Sequence, residues 1–278
     1  MSGSLRRIWL CADDYGIAPG VNAAIRDLVA RGRLNATSAM VLAPSLDRAA
    51  VEALAALNAD APRVSIGLHF TLTGLFAPLS ANYSPLDGGH FLSIGQTLLR
   101  ALARRLDAEA LAREAEAQFL RFIALFGRPP DFIDGHQHVH LLPQVRDAVI
   151  EAALRHAPGA WLRQCAAAGG LSLSDPKGLL IDVLSRRFRR QAAAAGIAVN
   201  SAFSGTYTYL PEADFAALFP SFIKNLPEGA VVMCHPGTVD DELRRLDPLT
   251  DLREREYAFL AGDDFPYDLA QAGLVLAR

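Results

Sequence analysis

Cysteine is scarce in this chain: three residues, Cys11, Cys165 and Cys234, among 278. They are odd in number, far apart and in no CxxC arrangement. That argues against a disulfide framework and fits a reducing compartment, where Cys behaves as a small core residue. Long apolar runs are missing too. None approaches the roughly 18 residues of a membrane span, and the stretch after Arg6-Arg7 meets Asp13 and Asp14 too soon to be a signal-peptide core. No sign of charge dominates, with 27 Lys and Arg against 30 Asp and Glu, a net −3. Nucleic acid is therefore not the expected partner. These absences together predict a cytoplasmic protein.

What is present is a large apolar fraction, 51% of residues against 21% charged, enough for a sizeable core. Short apolar runs alternate with longer helical patterns. Strands are predicted at Arg7–Ala12, Ala36–Leu42, Val64–Phe70, Asp131–Gly135, Ala160–Gln164, Ile197–Phe203, Ala230–His235 and Leu274–Ala277. Helices are predicted at Val21–Arg31, Asp47–Asn58, Ala108–Phe126, Gln144–His156, Leu179–Ala195, Glu212–Asn225 and Leu252–Ala261. The alternation predicts an α/β fold, an irregular (β/α) barrel of seven to eight strands, with a doubly wound open sheet as the rival. No repeat or linker marks a second domain, so residues 1–278 read as one. Thr71–Ile94 reads as a long loop of the kind that carries function.

Histidine is concentrated where strands end. His136-Gln137-His138-Val139-His140 places three of the seven histidines in five residues, after Phe132-Ile133-Asp134-Gly135. If extended, positions 136, 138 and 140 would share one face. The first strand ends in Asp13-Asp14, the third in His69, and Ala230–Cys234 in His235-Pro236-Gly237. Titratable residues at the C-terminal ends of several parallel strands are where an α/β barrel builds its active site. Adjacent carboxylates repel unless a cation or shared proton intervenes, and their divergence lets one ligate a metal while the other serves as a base. Imidazoles and a carboxylate with open positions suit Zn²⁺ or a neighbouring divalent ion acting on water. His235 reads as a catalytic acid held at the rim. Arg163 lies in a buried strand and needs a carboxylate partner, for which Asp13 is the candidate. His90 and His156 read as surface residues.

Four motifs then stand in order: Cys11-Ala12-Asp13-Asp14-Tyr15-Gly16, Ile66-Gly67-Leu68-His69-Phe70-Thr71-Leu72-Thr73, Asp134-Gly135-His136-Gln137-His138-Val139-His140 and Cys234-His235-Pro236-Gly237. Together they resemble the YdjC-like carbohydrate deacetylase family, which includes chitooligosaccharide deacetylases, and most closely its branch associated with hopanoid biosynthesis. The resemblance implies a barrel related to polysaccharide deacetylases that removes N-acetyl groups from amino sugars with one divalent metal, Zn²⁺ first, Mg²⁺ or another ion as alternative. It implies Asp14, His69 and His136 as metal ligands, Asp13 as general base, His235 as general acid and a homodimer. The family's cluster often reads Ser-His-His-His-Val-His. Here Gln137 replaces one histidine, and His138 stands as an alternative ligand to His136. The expected substrate is an acetylated amino sugar, lipid-linked in the hopanoid reading. An amidohydrolase-type barrel and a non-catalytic sugar-binding module are the rivals. Finally, Leu179–Arg190 reads as an amphipathic helix carrying Arg186, Arg187, Arg189 and Arg190. It is either a solvated surface helix or a contact with an anionic membrane made by the arginines and a shallowly inserted apolar side.

Overall fold

The computed structural model describes residues 5–168 and 176–277. Eight strands form one sheet: β1 (Arg6–Tyr15), β2 (Ala36–Ala39), β3 (Ser65–Phe70), β4 (Phe132–Gly135), β5 (Trp161–Leu162), β6 (Phe203–Ser204), β7 (Val231–Cys234) and β8 (Leu274–Leu276). The hydrogen-bonded order is β5-β4-β3-β2-β1-β7-β6 with β8 on β1, and every pairing is parallel. Along one strand, Arg6–Ile8 pair with β8 and Trp9–Ala12 with β7. On the side of β1 away from β7, Asn35, just before β2, splices β8 to β2, its Oδ1 accepting from Leu10 N at 2.7 Å while Nδ2 donates to the Ile8 and Ala277 carbonyls. Single bridges join Leu162 to Val199 and Ala167 to Phe203, so the two ends of the path curl towards each other. This is the irregular parallel barrel expected, not an open doubly wound sheet.

The helices are α1 (Pro19–Ala30), α2 (Arg48–Ala55), α3 (Ile94–Leu102), α4 (Ala108–Phe126), α5 (Val145–His156), α6 (Pro176–Ala194), α7 (Phe215–Ile223), α8 (Asp241–Leu246), α9 (Asp251–Ala261) and α10 (Asp264–Gln271). α4 shows why the sequence was legible: Asp107 caps its start by accepting from Glu109 N and Ala110 N, and Gly127 ends it with φ 68°, the left-handed conformation glycine adopts freely. α3, α8 and α10 are additions to the expected set. α3 starts in a capping box, Ser93 and Gln96 accepting from each other's backbone N–H, a signal recognisable as Ser-x-x-Gln. α7 starts at Phe215 because Asp214 caps it, three residues later than expected. β2 is shorter than expected, ending at Ala39.

The strands are buried almost throughout. Gly67 in β3 is dictated by packing: a Cβ there would lie 2.5 Å from the Phe132 ring of β4, and that ring stacks on Trp161 of β5 with centroids 4.6 Å apart. This close approach fixes β3 against β4 just before both end in the site. On α6, Leu184, Phe188 and Ala192 are buried in the core. The apolar stripe read as available for membrane insertion is therefore already used by the fold, while the four arginines are exposed.

Candidate active site

The site starts with an irregularity in β1. Ala12 pairs with Thr37 but Tyr15 with Ala39, so three steps on β1 span two on β2. The extra residue falls at Asp13-Asp14, where Asp14 has φ 68°, a left-handed conformation that Asp tolerates better than most residues. In a regular strand, neighbours point to opposite faces. The bulge breaks this alternation, and both carboxylates line one cavity of about 390 Å³.

Asp13 is gripped by Arg163, whose Nη1 lies 2.6 Å from Oδ1 and Nη2 2.8 Å from Oδ2. The same Nη1 is 2.8 Å from Asp134 Oδ2, and all three side chains are buried. The pairing expected from the sequence is present, with Arg163 one residue beyond β5. Cys11 also converges with Asp13 and Asp134. That trio suits an ion poorly, because Arg163 already neutralises its carboxylates. Burial and the nearby acids also push the Cys11 thiol up, keeping it protonated.

The other convergence is Asp14, His69 and His136, whose ligand atoms all lie within 4.8 Å of one another. His69 Nε2 is 3.1 Å and His136 Nδ1 3.0 Å from the same oxygen, Asp14 Oδ1. On its far side, His69 Nδ1 donates to Asp134 Oδ1 at 2.6 Å, with Ser38 Oγ at 2.9 Å. Asp134 sits opposite His69 in the β3–β4 register. A carboxylate behind a metal-binding imidazole fixes the proton on the outer nitrogen and leaves the inner one free. Two imidazoles and a carboxylate so arranged fit a divalent ion. Without one, burial disfavours the His69 cation, yet Asp134 and Asp13 outweigh it and push the pKa up to about 10, so an ion competes with a proton there. Burial likewise opposes the Asp14 charge, but Arg253 and His136 hold the carboxyl well below the usual range.

The histidine cluster is not extended. Residues 136–141 form a 3₁₀ turn, with Gln137 and His138 left-handed at φ 52° and 60°, so positions 136, 138 and 140 do not share a face. His136 alone joins the convergence. His138 lines the cavity, but its Nδ1 sits 3.6 Å from Cys165 Sγ and its ring edge meets Phe203. It therefore does not stand in as the ligand in this geometry. His140 is structural: buried, it donates through Nε2 to the Arg163 carbonyl at 2.8 Å, and burial pushes its pKa down to about 3.

His235 lines the same cavity beside Asp13 and Asp14. Its backbone N donates to Glu256 Oε2 at 2.5 Å, and Tyr207 Oη donates to Glu256 Oε1 at 2.7 Å. Burial, reinforced by Arg253, pushes the imidazole down to about 4, so it is neutral at rest. Arg253 was not foreseen. Its Nη2 bridges Asp14 Oδ2 at 2.6 Å and Asp247 Oδ2 at 2.8 Å, leaving Oδ1 of Asp14 to face the two histidines. Glu256, Tyr207, Tyr209 and Lys177 were also missed. They come from loops and helices without strand-end spacing, so only Asp134, two residues before His136, carried a readable signal.

The cavity has two characters. Its floor is the titratable rim, while much of its wall is aliphatic, from Ile94 and Leu98 of α3, Leu142, and Leu180, Ile181 and Leu184 of α6. The curled parallel barrel is similar in fold to solved deacetylases. A peptidoglycan N-acetylglucosamine deacetylase structure superposes with TM-score 0.51 at 10% identity, covering 98% of this chain and 85% of that one. The fold matches more fully that of an Enterococcus faecalis V583 protein named for cellobiose-phosphate cleavage, with TM-score 0.75, 21% identity and coverage of 99% and 98%. The chain belongs to the YdjC-like protein family, whose profile matches residues 7–271. Chitooligosaccharide deacetylases of Yersinia pestis (strain Pestoides F) and Yersinia pseudotuberculosis (serotype O:1b) are each 34% identical over 234 residues, 84% of this chain and 82% of theirs.

Proposed function

We propose that the chain is a metal-dependent carbohydrate N-deacetylase, acting on an N-acetylglucosamine unit joined to an apolar, lipid-like group. The convergence of Asp14, His69 and His136 beside the Arg163-held Asp13 carries the reading. Asp14, His69 and His136 would hold one divalent ion, with Zn²⁺ the first choice for this donor set. When bound, such an ion acidifies a water and polarises an acetyl carbonyl. Asp13 accepts the water's proton, and the two-pronged contact with Arg163 holds its carboxylate aimed. His235, neutral at rest, would take up a proton from solvent once the reaction places negative charge beside it and deliver that proton to the departing nitrogen, since a neutral amine leaves far better than an amide anion. The water's proton held by Asp13 returns to solvent and closes the balance. Positioned acid and base each supply on the order of 10²–10⁴ in rate.

The aliphatic wall supports the lipid-linked form, in line with the hopanoid-associated branch the sequence resembles; a soluble oligosaccharide would find few polar partners there. The test is acetate release from an acetylated chito-disaccharide and from a lipid-linked N-acetylglucosamine, before and after chelation. Chelation should abolish both activities, and the lipid-linked substrate should be faster. Full turnover by rigorously metal-free protein would remove the metal, and equal rates would favour a soluble chitooligosaccharide substrate. The homodimer is carried forward as a proposal, checked by light scattering against the 29.9 kDa chain mass.

A further inference from the structure

α3 and α6 form two sides of the cavity wall, and both are lopsided in charge. Residues 94–106 contain Arg100, Arg104 and Arg105 and no acidic residue. α6 carries Lys177, Arg186, Arg187, Arg189 and Arg190; its one acid, Asp182, is buried against Arg186 Nε at 2.5 Å. The chain as a whole has net charge −3, so this is a local concentration. The same helices expose aliphatic side chains, with Leu99 at 70%, Leu102 at 49% and Val183 at 45% of full exposure. Leu102 extends the Ile94–Leu98 cavity stripe by one helical turn, out onto the surface.

Arg146, in the first turn of α5, supplies the second observation. It is buried, and its Nε and Nη1 have no hydrogen-bond partner. The nearest carboxylate oxygen, Asp147 Oδ1, is 4.0 Å away and already accepts from Gln191 Nε2 of α6 at 2.9 Å. On the other flank, Gln144 holds the turn after α3, exchanging hydrogen bonds of 2.8 and 3.2 Å with the Leu106 backbone. These two clamps bring Arg187 and Arg104 towards Arg146. Burial holds the Arg146 pKa below its ordinary value against the pull of Asp147, and the charges of Arg187 and Arg104 lower it further. A buried guanidinium with unused donors and like-charged neighbours calls for an anion.

We propose that this face docks on an anionic phospholipid bilayer, a lipid phosphate being taken by Arg104, Arg146 and Arg187 while Leu99, Leu102 and Val183 insert shallowly beside the cavity mouth. The contact differs from insertion of the α6 apolar stripe, which the core has buried. It deepens the lipid-linked reading, because a cavity opening at a bilayer would receive the substrate's apolar part from it.

The test is sedimentation of the full chain, without substrate, with phosphatidylglycerol–phosphatidylcholine vesicles and with pure phosphatidylcholine. Binding should require the anionic lipid and weaken with salt. R104Q/R187Q, both at the surface, should lower partitioning about fivefold per arginine. R146Q should lower it further, and L99S/L102S should remove the salt-resistant remainder. Turnover of a soluble disaccharide should be unchanged in R104Q/R187Q and L99S/L102S. No preference for anionic vesicles, or unaltered binding in R104Q/R187Q, overturns docking. So does thermal protection by inorganic phosphate, lost in R146Q, without vesicle binding, which would make the cluster a small-anion site. Vesicle binding by a chain that never releases acetate would sink the deacetylase reading and leave the docking intact.

Discussion

Asp13 and Asp14 are neighbours with opposite attachments: Asp13 is saturated by Arg163, whereas Asp14 offers one oxygen to two imidazoles. Asp13→Asn should therefore keep bound metal, measured by elemental analysis, while turnover falls about 10²–10⁴-fold. Asp14→Asn should lose the metal itself. If instead Asp13→Asn emptied the site, the two roles would be exchanged. Asp134→Asn should weaken metal binding about 10–100-fold without touching a ligand, because the amide no longer fixes the proton on His69 Nδ1. Asp13, Asp14, His69, His136, Arg163 and His235 were legible because a parallel barrel places strand-end residues on one rim. Arg253 was not, since its link to Asp14 spans 239 positions and no local pattern announces it. His138 misled because the extended reading of 136–140 ignored the option of a left-handed turn.

At the scale of elements, α9 does more than cover the barrel. Arg253 and Glu256 sit three residues apart on one helical face and reach Asp14 and the His235 backbone respectively. Burial raises Glu256 from an ordinary 4.5 to about 7. Between those pH values the unfolded chain ionises this carboxyl while the folded chain keeps it protonated. The unfolded state therefore binds fewer protons, and stability falls as pH rises through the window. The full loss, complete above pH 7, is about 3 kcal/mol. Glu256→Gln should flatten this part of the Tm-against-pH curve; an unchanged slope from pH 4.5 to 7.5 would show that Glu256 does not titrate there. Seven of the eight strands were readable from short apolar runs, whereas β6 (Phe203–Ser204) meets the expected Ile197–Phe203 only at Phe203, and α8 and α10 are short helices in polar sequence with little periodicity to find.

Across the whole molecule, the core is closed by an aromatic cluster in which Phe219 of α7 meets Phe259 of α9 and Phe265 of α10 at 5.0 and 5.5 Å between ring centroids. Phe219 is fully buried, and Phe219→Ala should cost about 3–5 kcal/mol, read as a lower denaturant midpoint. A loss below 1 kcal/mol would mean the cluster repacks around the vacancy.

The strand order also has a consequence for the chain as it leaves the ribosome. β1 precedes its partners in the chain and lies in the middle of the sheet, with β2 and β8 along one side and β7 on the other. Its second partner emerges only after residue 231. Until then β1, already zipped to β2, presents an unpaired apolar edge to solvent or to other nascent copies. Translation thus carries a window of more than two hundred residues in which Asp13 and Asp14 are made but cannot be assembled with the rest of the cavity. A chain stalled before Val231 should accumulate as aggregate or on a chaperone, and completion through β7 should release it.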